Sequence, residues 1–582
     1  MKFAQALVLV LAVACSGSSL ENTGEPWVYR SIHYGLSGQY PQTIYRRLSS
    51  VLDSLDAQPA EVAGVALDSF LFCLGDSRET LDSYTRPDQW DSLVLLPHRV
   101  LRPNTALWYK KKILSRNGTW LAISSDDGAQ VFLGTEQLQA GPGGLFMIYA
   151  GKDSVDLVIR VLNNAMAGGL KGVKLVDVKA HDEFFTARAI NARLKQKLKK
   201  ISAQGAPAEM LESTLSSLGS SHAPSAEAKQ VLSCPWFLIP PYLVDKGDRV
   251  VVRWECEACV SAKIHLDLES TTHTYKVLGN QGFFEYELPR SVLSYKVCLD
   301  DRVCTEQLTL KMTEKDTFSF SAWADSQGGW PVFREVNRLM NAENISFSVG
   351  VGDLVGQGDN DTEWRALLDA IYPYGAQKIY YLMAGNHDYD GYYDDLVSRN
   401  YQRFAGRNDT LPYFSWNYGN AAFIALDPNR SFPISIKQDR EQSRWLSQVI
   451  HSKQWEDATW RFIFVHQPPY SQGWPGYHGD ETIREVIDPL VHKGVVDFVV
   501  SGHTHDYEHL LKRSGDFTTD LLIIGGAGGS LEPLENSNYP EMDTIVNQHH
   551  YVTFTIEGNT CRMTAKNLKG EIMHEFKRKK RL

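Results

Sequence analysis

The chain has 582 residues, 43% of them hydrophobic and 22% charged, and carries a formal net charge of −10. That length exceeds what one hydrophobic core supports and sets an expectation of about three or four domains. Mild acidity argues against a partner held through nucleic-acid phosphates, so no stable nucleic-acid binding is expected.

The first residues read as an export signal. Lys2 is followed by an apolar stretch through Ala14, and the small residues Ala12-Val13-Ala14 precede Cys15 and a polar Ser16-Gly17-Ser18-Ser19. A charged start, a short apolar run and an A-x-A site define a signal peptide over 1–14. The stretch is shorter than the ~20 residues needed to span a bilayer. Cys15 after small residues also resembles a lipoprotein processing box, although Ala12 stands where leucine is preferred. The chain is therefore expected to be secreted or held in the cell envelope, either periplasmic or lipid-anchored at Cys15. Beyond Cys15, seven cysteines remain, so at least one lies outside any intramolecular disulfide. Cys298 and Cys304 flank Asp300-Asp301-Arg302, and a three-residue hairpin loop would set them opposite each other. Cys256 and Cys259 form a CxxC that reads either as half a zinc site or as a disulfide; the lack of a second CxxC favours the latter.

Residues 27–91 carry no readable motif beyond a helical patch at 44–55. From 92 to 180, short period-two runs separated by turn residues predict a β-sandwich, among them Trp120-Leu121-Ala122-Ile123 and Gln130-Val131-Phe132-Leu133. The segments beginning at Ser125-Asp126-Asp127-Gly128 and Asn163-Asn164 resemble jelly-roll, galactose-binding-like modules, only some of which bind sugar, so this sandwich reads either as a carbohydrate contact or as a structural appendage. Residues 181–232 read as a helical connector. A second sandwich is predicted over 236–312, with Val250-Val251-Val252-Arg253-Trp254 among its strands.

From 316 to 576 the pattern changes to strands alternating with helices, as in an α/β unit. Strands are predicted at 317–323, 345–351, 379–383, 421–426, 461–465 and 495–500, buried on both faces, with a helix at 332–340. Polar residues cluster just beyond the ends of five of these strands: Asp325-Ser326-Gln327, Gly352-Asp353, Gly385-Asn386-His387-Asp388, His466-Gln467-Pro468 and Gly502-His503-Thr504-His505. Ligand sites in open α/β sheets lie beyond the carboxyl ends of strands, so these residues are expected along one edge. Carboxylate and amide oxygens beside imidazoles suit two divalent metals, with Asp353 as a bridging carboxylate. The glycines before Asp353, Asn386 and His503 permit the sharp turns this requires.

The ordered set D-x-[H/G], GD, GNH[DE], H and GHxH resembles the calcineurin-like metallophosphoesterase superfamily. The segments His466-Gln467-Pro468-Pro469-Tyr470 and Gly502–Glu508 resemble its purple acid phosphatase branch, in which a fibronectin-III-like sandwich precedes the catalytic domain. That resemblance implies a C-terminal α/β phosphoesterase β-sandwich with flanking helices, and two divalent ions (Mn, Fe or Zn) that activate a hydroxide. Asp325, Asp353 and His505 resemble ligands of the first ion, with Gln327 filling the next position. Asp353, Asn386, His466 and His503 resemble ligands of the second. His387 stands where the family protonates the leaving group, and His478 falls near a substrate-binding histidine. The implied partner is a phosphate ester, either a small molecule or a polymer. Two positions depart from the pattern. Gln327 replaces a histidine or glycine. Gly356 stands both where purple enzymes have a tyrosinate ligand and where protein phosphatases have the aspartate that orients the catalytic histidine. The competing reading is a surface sugar-binding lipoprotein whose phosphoesterase domain is catalytically weak. The mature protein is expected to begin at or near Cys15; intact mass measurement on native protein checks this, and a retained Met1 or Lys2 contradicts it.

Overall fold

The computed structural model describes the strand Trp27–Tyr29, residues 63–75, most of 87–181 and most of 235–580. The signal segment 1–14, Cys15, the helical patch at 44–55 and nearly all of the 181–232 connector lie outside the described residues. Among the described residues, no helix is long and apolar enough to cross a membrane.

The alternating runs of the first sandwich pair as two sheets over one core. Thr105–Ile113 runs antiparallel to Val155–Asn163 in register along its whole length, from Thr105 opposite Asn163 to Ile113 opposite Val155. The facing sheet centres on Thr119–Ser125 and Ala167–Asp177. Leu107, Tyr109, Leu121, Val131, Ile159 and Val173 fill the space between them. The sheet starts earlier than the expected boundary at 92. Ser69–Leu74 pairs with both Ser92–Leu95 and Thr105–Ile113 and sends Phe70 and Phe72 into the core. A single short strand carries too little period-two pattern to stand out in the sequence.

In the second sandwich, Trp236–Asp245, Val250–Glu257 and Phe283–Glu287 form one sheet. Ser294–Leu299, Ala262–Asp267 and their neighbours form the other, and Trp27–Tyr29 joins it as a parallel edge strand. Trp254 stacks on Phe284 at 5.3 Å in its core. Cys298 and Cys304 are direct cross-strand partners joined as a disulfide, as the three-residue loop requires. Cys256 and Cys259 are also bonded to each other, which removes the half-zinc-site reading.

The third unit consists of two sheets face to face with helices outside. Tyr380–Met383, Phe347–Val351 and Thr317–Trp323 run parallel and continue into the antiparallel strands His550–Glu557, Thr560–Asn567 and Ile572–Lys579. In the second sheet Ala421–Leu426, Trp460–Val465, Phe498–Ser501 and Phe517–Ile524 are mutually parallel. All residues of Phe347–Val351 and Ala421–Leu426 are buried, as continuous apolar runs predict. Aromatic rings fill the space between the sheets: Phe320 meets Phe423 at 5.4 Å, and Phe462 meets Phe554 at 5.2 Å. Helices Trp330–Ala342 and Asp361–Ile371 cover the outer face of the first sheet, and Arg440–Ile450 and Glu481–His492 that of the second.

The second sandwich and the third unit share one apolar cluster running from Trp254 and Phe284 to Phe320 and Phe462. An ion-pair cluster reinforces this join. Buried Glu255 accepts a bidentate pair from Arg365 at 2.7 and 2.9 Å, and a third bond from Arg403 at 3.0 Å. Removing one side of a buried pair leaves uncompensated charge. Glu255→Ala is therefore expected to cost about 2–4 kcal/mol, since Arg365 keeps some access to water; thermal melting of the variant measures it.

Candidate metal centre

The five predicted turns do meet, but across two sheets rather than along one edge. The Thr317–Trp323, Phe347–Val351 and Tyr380–Met383 strands deliver Asp325, Asp353 and Asn386 from the first sheet. Trp460–Val465 and Phe498–Ser501 deliver His466, His503 and His505 from the second. The open-sheet expectation fails because the strand order splits after Tyr380–Met383, so the site forms where the ends of two facing sheets converge.

The turns are tight. Asp325, Asp353 and His503 adopt left-handed backbone, with φ of 59°, 48° and 73°. Such conformations cost about 1–3 kcal/mol each for residues with a Cβ and persist only where the surroundings enforce them. Here the turns enforce one another. Asp325 donates its amide to the Gly352 carbonyl at 3.1 Å, and Gln327 donates to that of Asp353 at 3.3 Å. The His503 amide donates to the Asp325 carboxylate at 3.0 Å. Two glycines are required by proximity: a Cβ on Gly352 would lie 2.4 Å from His466 Nδ1, and one on Gly385 2.3 Å from Asp353 Oδ1. The Gly525–Gly529 run is packed backbone beneath the site, where Ala527 and Gly529 donate to the carbonyls of Ala324 and Asp325.

Donor atoms fall into two groups joined by aspartates. The ligand atoms of Asp353, His466 and His503 all lie within 4.8 Å of one another. His466 donates from Nδ1 to the Val351 carbonyl at 2.8 Å, which fixes its tautomer and leaves Nε2 as the ligand atom. That buried Nε2 makes no hydrogen bond of acceptable geometry and stands 3.2 Å from Asp353 Oδ2. His503 Nδ1 and Asn386 Oδ1 face each other at 3.1 Å. On the other side, His505 is anchored through Nδ1 to the Ser530 carbonyl at 2.6 Å and turns Nε2 toward Asp325 Oδ1 at 3.6 Å. The Gln327 side-chain amide lies 2.7 Å from the same Nε2, which puts Gln327 at this group's edge.

Burial alone would push the Asp353 carboxyl up, but His466, His387 and His503 hold it well below the usual carboxylate range. Burial pulls His466 down, yet Asp353 and Asp325 outweigh it and raise the imidazole to about 10. His503 is lowered to about 3, by burial first and then by His466. Carboxylates and imidazoles held this close in a dry site fit divalent cations, which satisfy both donor types at once.

His387 donates its backbone amide to Asp353 Oδ1 at 2.9 Å, and its Nδ1 lies 3.0 Å from the Gly356 carbonyl. The position that lacks an orienting aspartate thus offers the ring a backbone acceptor instead. His478 is half-buried in the loop that covers His503, but the rings packed on His503 belong to its neighbours Tyr477 and Trp474, at 5.5 and 5.8 Å. Sequence reasoning passed over those two aromatics and two supporting carboxylates. Glu508 holds the Tyr477 loop by accepting from Ser471, Gln472 and Gly473. Asp388 accepts the amides of Leu354, Val355 and Gly385. Both stand inside motifs that were visible in the sequence, but only the fold shows what they hold.

Residues 321–507 match the family model of the calcineurin-like phosphoesterases. The converging turns and their donor set thus belong to a calcineurin-like metallophosphoesterase domain, and the chain carries a phosphoesterase hydrolase. Among the proteins it is similar to are purple acid phosphatases. Purple acid phosphatase 7 of Arabidopsis thaliana is 22% identical over 264 residues, which span 41% of this chain and 77% of that protein. Purple acid phosphatase 18 of the same plant is 27% identical over 199 residues, 31% of this chain and 43% of that protein. The solved purple acid phosphatase PPD1 from yellow lupin seeds covers 81% of this chain and 93% of its own, at 12% identity and a TM-score of 0.48.

Tyr389 and Tyr470, which stand next to the motifs, are engaged elsewhere. Tyr389 donates to Asp427 at 2.7 Å and Tyr470 to Asp488 at 2.6 Å, and Gly356 has no side chain. Iron-loaded, air-oxidised protein is therefore expected to lack a strong tyrosinate-to-iron charge-transfer band in its visible spectrum. Gln327→His should strengthen metal retention on dialysis against chelator, because imidazole is the better donor; elemental analysis reads that outcome.

Proposed function

We propose that this chain is an exported hydrolase of phosphate mono- or diesters that works with two divalent ions, Mn, Fe or Zn. The observation that carries the reading is the convergence of Asp325, Asp353, Asn386, His466, His503 and His505 from two sheets, with their coordinating atoms turned toward one another. Asp325, Asp353 and His505 would hold one ion, with Gln327 beside it. Asp353, Asn386, His466 and His503 would hold the other. When bound, the ions supply charge neutralisation at the phosphoryl group and acidify a water. The disulfides Cys256–Cys259 and Cys298–Cys304 support the export reading, since such bonds persist in oxidising compartments.

The chain's own contribution is rigidity and a proton. Carbonyls at Val351 and Ser530 hold the His466 and His505 rings so that Nε2 of each faces inward. Trp474 and Tyr477 shelter His503 and narrow the approach from that side. Water adds to phosphorus, the ester P–O bond breaks, and the departing oxygen takes a proton from the His387 imidazolium. The Gly356 carbonyl can only accept a hydrogen bond, so it keeps one proton on Nδ1; the transferable proton is the one on Nε2.

Hydrolysis of an aryl phosphate and an aryl phosphodiester in the presence of Mn, Fe or Zn tests the reading; inactivity toward both with every metal contradicts it. His387→Ala should lower activity on alkyl esters by about 10²–10⁴-fold and much less on activated aryl esters, with metal content unchanged. An unchanged rate on alkyl esters removes His387 from the reaction.

A further inference from the structure

The loop leaving the Phe347–Val351 strand must carry Asp353 into the site and then bring the Gly356 carbonyl up to His387. Its backbone amides are accounted for. Those of Leu354 and Val355 donate to the Asp388 carboxylate at 3.1 and 3.0 Å. Gly356 donates to Glu363 Oε2 at 2.6 Å. Glu363 therefore grips the residue whose carbonyl accepts from His387 Nδ1 at 3.0 Å.

Glu363 is well placed for this. It lies in the first turn of the Asp361–Ile371 helix, behind the Asn360 cap, where the helix dipole favours a negative side chain. A glutamate at this position commonly turns back to its own cap; here one oxygen stands 3.5 Å from the Asn360 side-chain amide while the other reaches past the cap to the loop. The loop is held on its far side as well, by Trp364 Nε1 and Asn400 Nδ2, which donate to the Gly358 carbonyl at 2.8 and 2.9 Å. Gly356 leaves room for the arrangement, since a Cβ there would lie 3.1 Å from Glu363 Oε2.

We infer that Glu363 is a positioning residue for the phosphoesterase reaction: by holding Gly356 it takes the part of the orienting carboxylate that position 356 cannot supply. The carboxylate fixes the Gly356 amide, the fixed residue sets the direction of its carbonyl, and the carbonyl holds the His387 ring with Nε2 set for proton donation. This rests on the role of His387 proposed above.

The test uses the full-length, metal-loaded protein and three variants, Glu363→Gln, Glu363→Asp and His387→Ala. Glutamine keeps the size and can still accept a bond but loses the charge; aspartate keeps the charge but withdraws it from the loop. Each Glu363 variant should lose about 10–100-fold on an alkyl phosphate, the scale on which removing partners that orient metal-bound histidines acts. On 4-nitrophenyl phosphate, whose leaving group needs little proton assistance, the loss should stay within about threefold, a fraction of what a lost general acid costs. Metal content should match wild type. In a His387→Ala background, Glu363→Gln should add no further loss, because the effect passes through that ring. Equal losses on both esters, or a full additional loss without His387, would mark Glu363 as a merely structural support and overturn the inference. So would unchanged activity on the alkyl ester. A wild-type protein inactive on every ester overturns the functional reading itself and is recognised before any variant is compared.

Discussion

Asp353 is the group on which the other contacts at the site depend. Its backbone is left-handed, its carbonyl receives the Gln327 amide, and one carboxylate oxygen receives the His387 amide while the other faces His466 Nε2. One residue thus fixes the relative position of turns from three strands of the first sheet and a histidine from the second. The geometry leaves no room for side chains at Gly352 or Gly385, whose Cβ atoms would run into His466 and Asp353. Backbone strain of this kind is stable only because each turn satisfies the polar groups of the next.

A second layer of carboxylates stands behind the inner residues, and these bind backbone amides rather than cations. Asp388 takes three amides, Glu508 takes two amides and a hydroxyl, and Glu363 takes the amide of Gly356. Each ties down an irregular segment: the Asp353 loop, the Tyr477 loop and the support of His387. Irregular backbone next to a buried site carries polar groups that water no longer reaches, and a charged acceptor satisfies several at once. The rigidity that a hydrolytic site needs comes from these buried acceptors, since the loops have little regular structure of their own.

The second sandwich contributes to that rigidity from outside. Glu255 on its Val250–Glu257 strand pairs with Arg365, two residues beyond Glu363 on the same helix. Arg403 joins the same carboxylate, and Tyr242 donates to the Phe404 carbonyl at 2.9 Å. The sandwich is thereby coupled to the helix behind the Gly356 loop through buried charge and a shared apolar core. Its place before the catalytic unit thus has a mechanical basis.

What the sequence determined by itself was local. The strands 317–323 and 421–426 match the observed Thr317–Trp323 and Ala421–Leu426, because continuous β-branched and aromatic runs between turn residues have few other stable arrangements. The turns that meet at the proposed site could be picked out because each follows a strand end, and the disulfide Cys298–Cys304 because a three-residue hairpin loop sets its register. The strand Ser69–Leu74, the split of the α/β strands between two sheets, and the neighbours Trp474 and Tyr477 were not legible, since each depends on pairing or packing between residues far apart in the chain. Gly356 shows the difference most plainly. In sequence it is a glycine at a position where the pattern it resembles calls for a tyrosine or an aspartate. In the fold it is a carbonyl aimed at His387 and an amide held by Glu363. Side-chain chemistry is written in the sequence residue by residue, but the direction of a backbone carbonyl is set only when the loop that carries it is held from both sides.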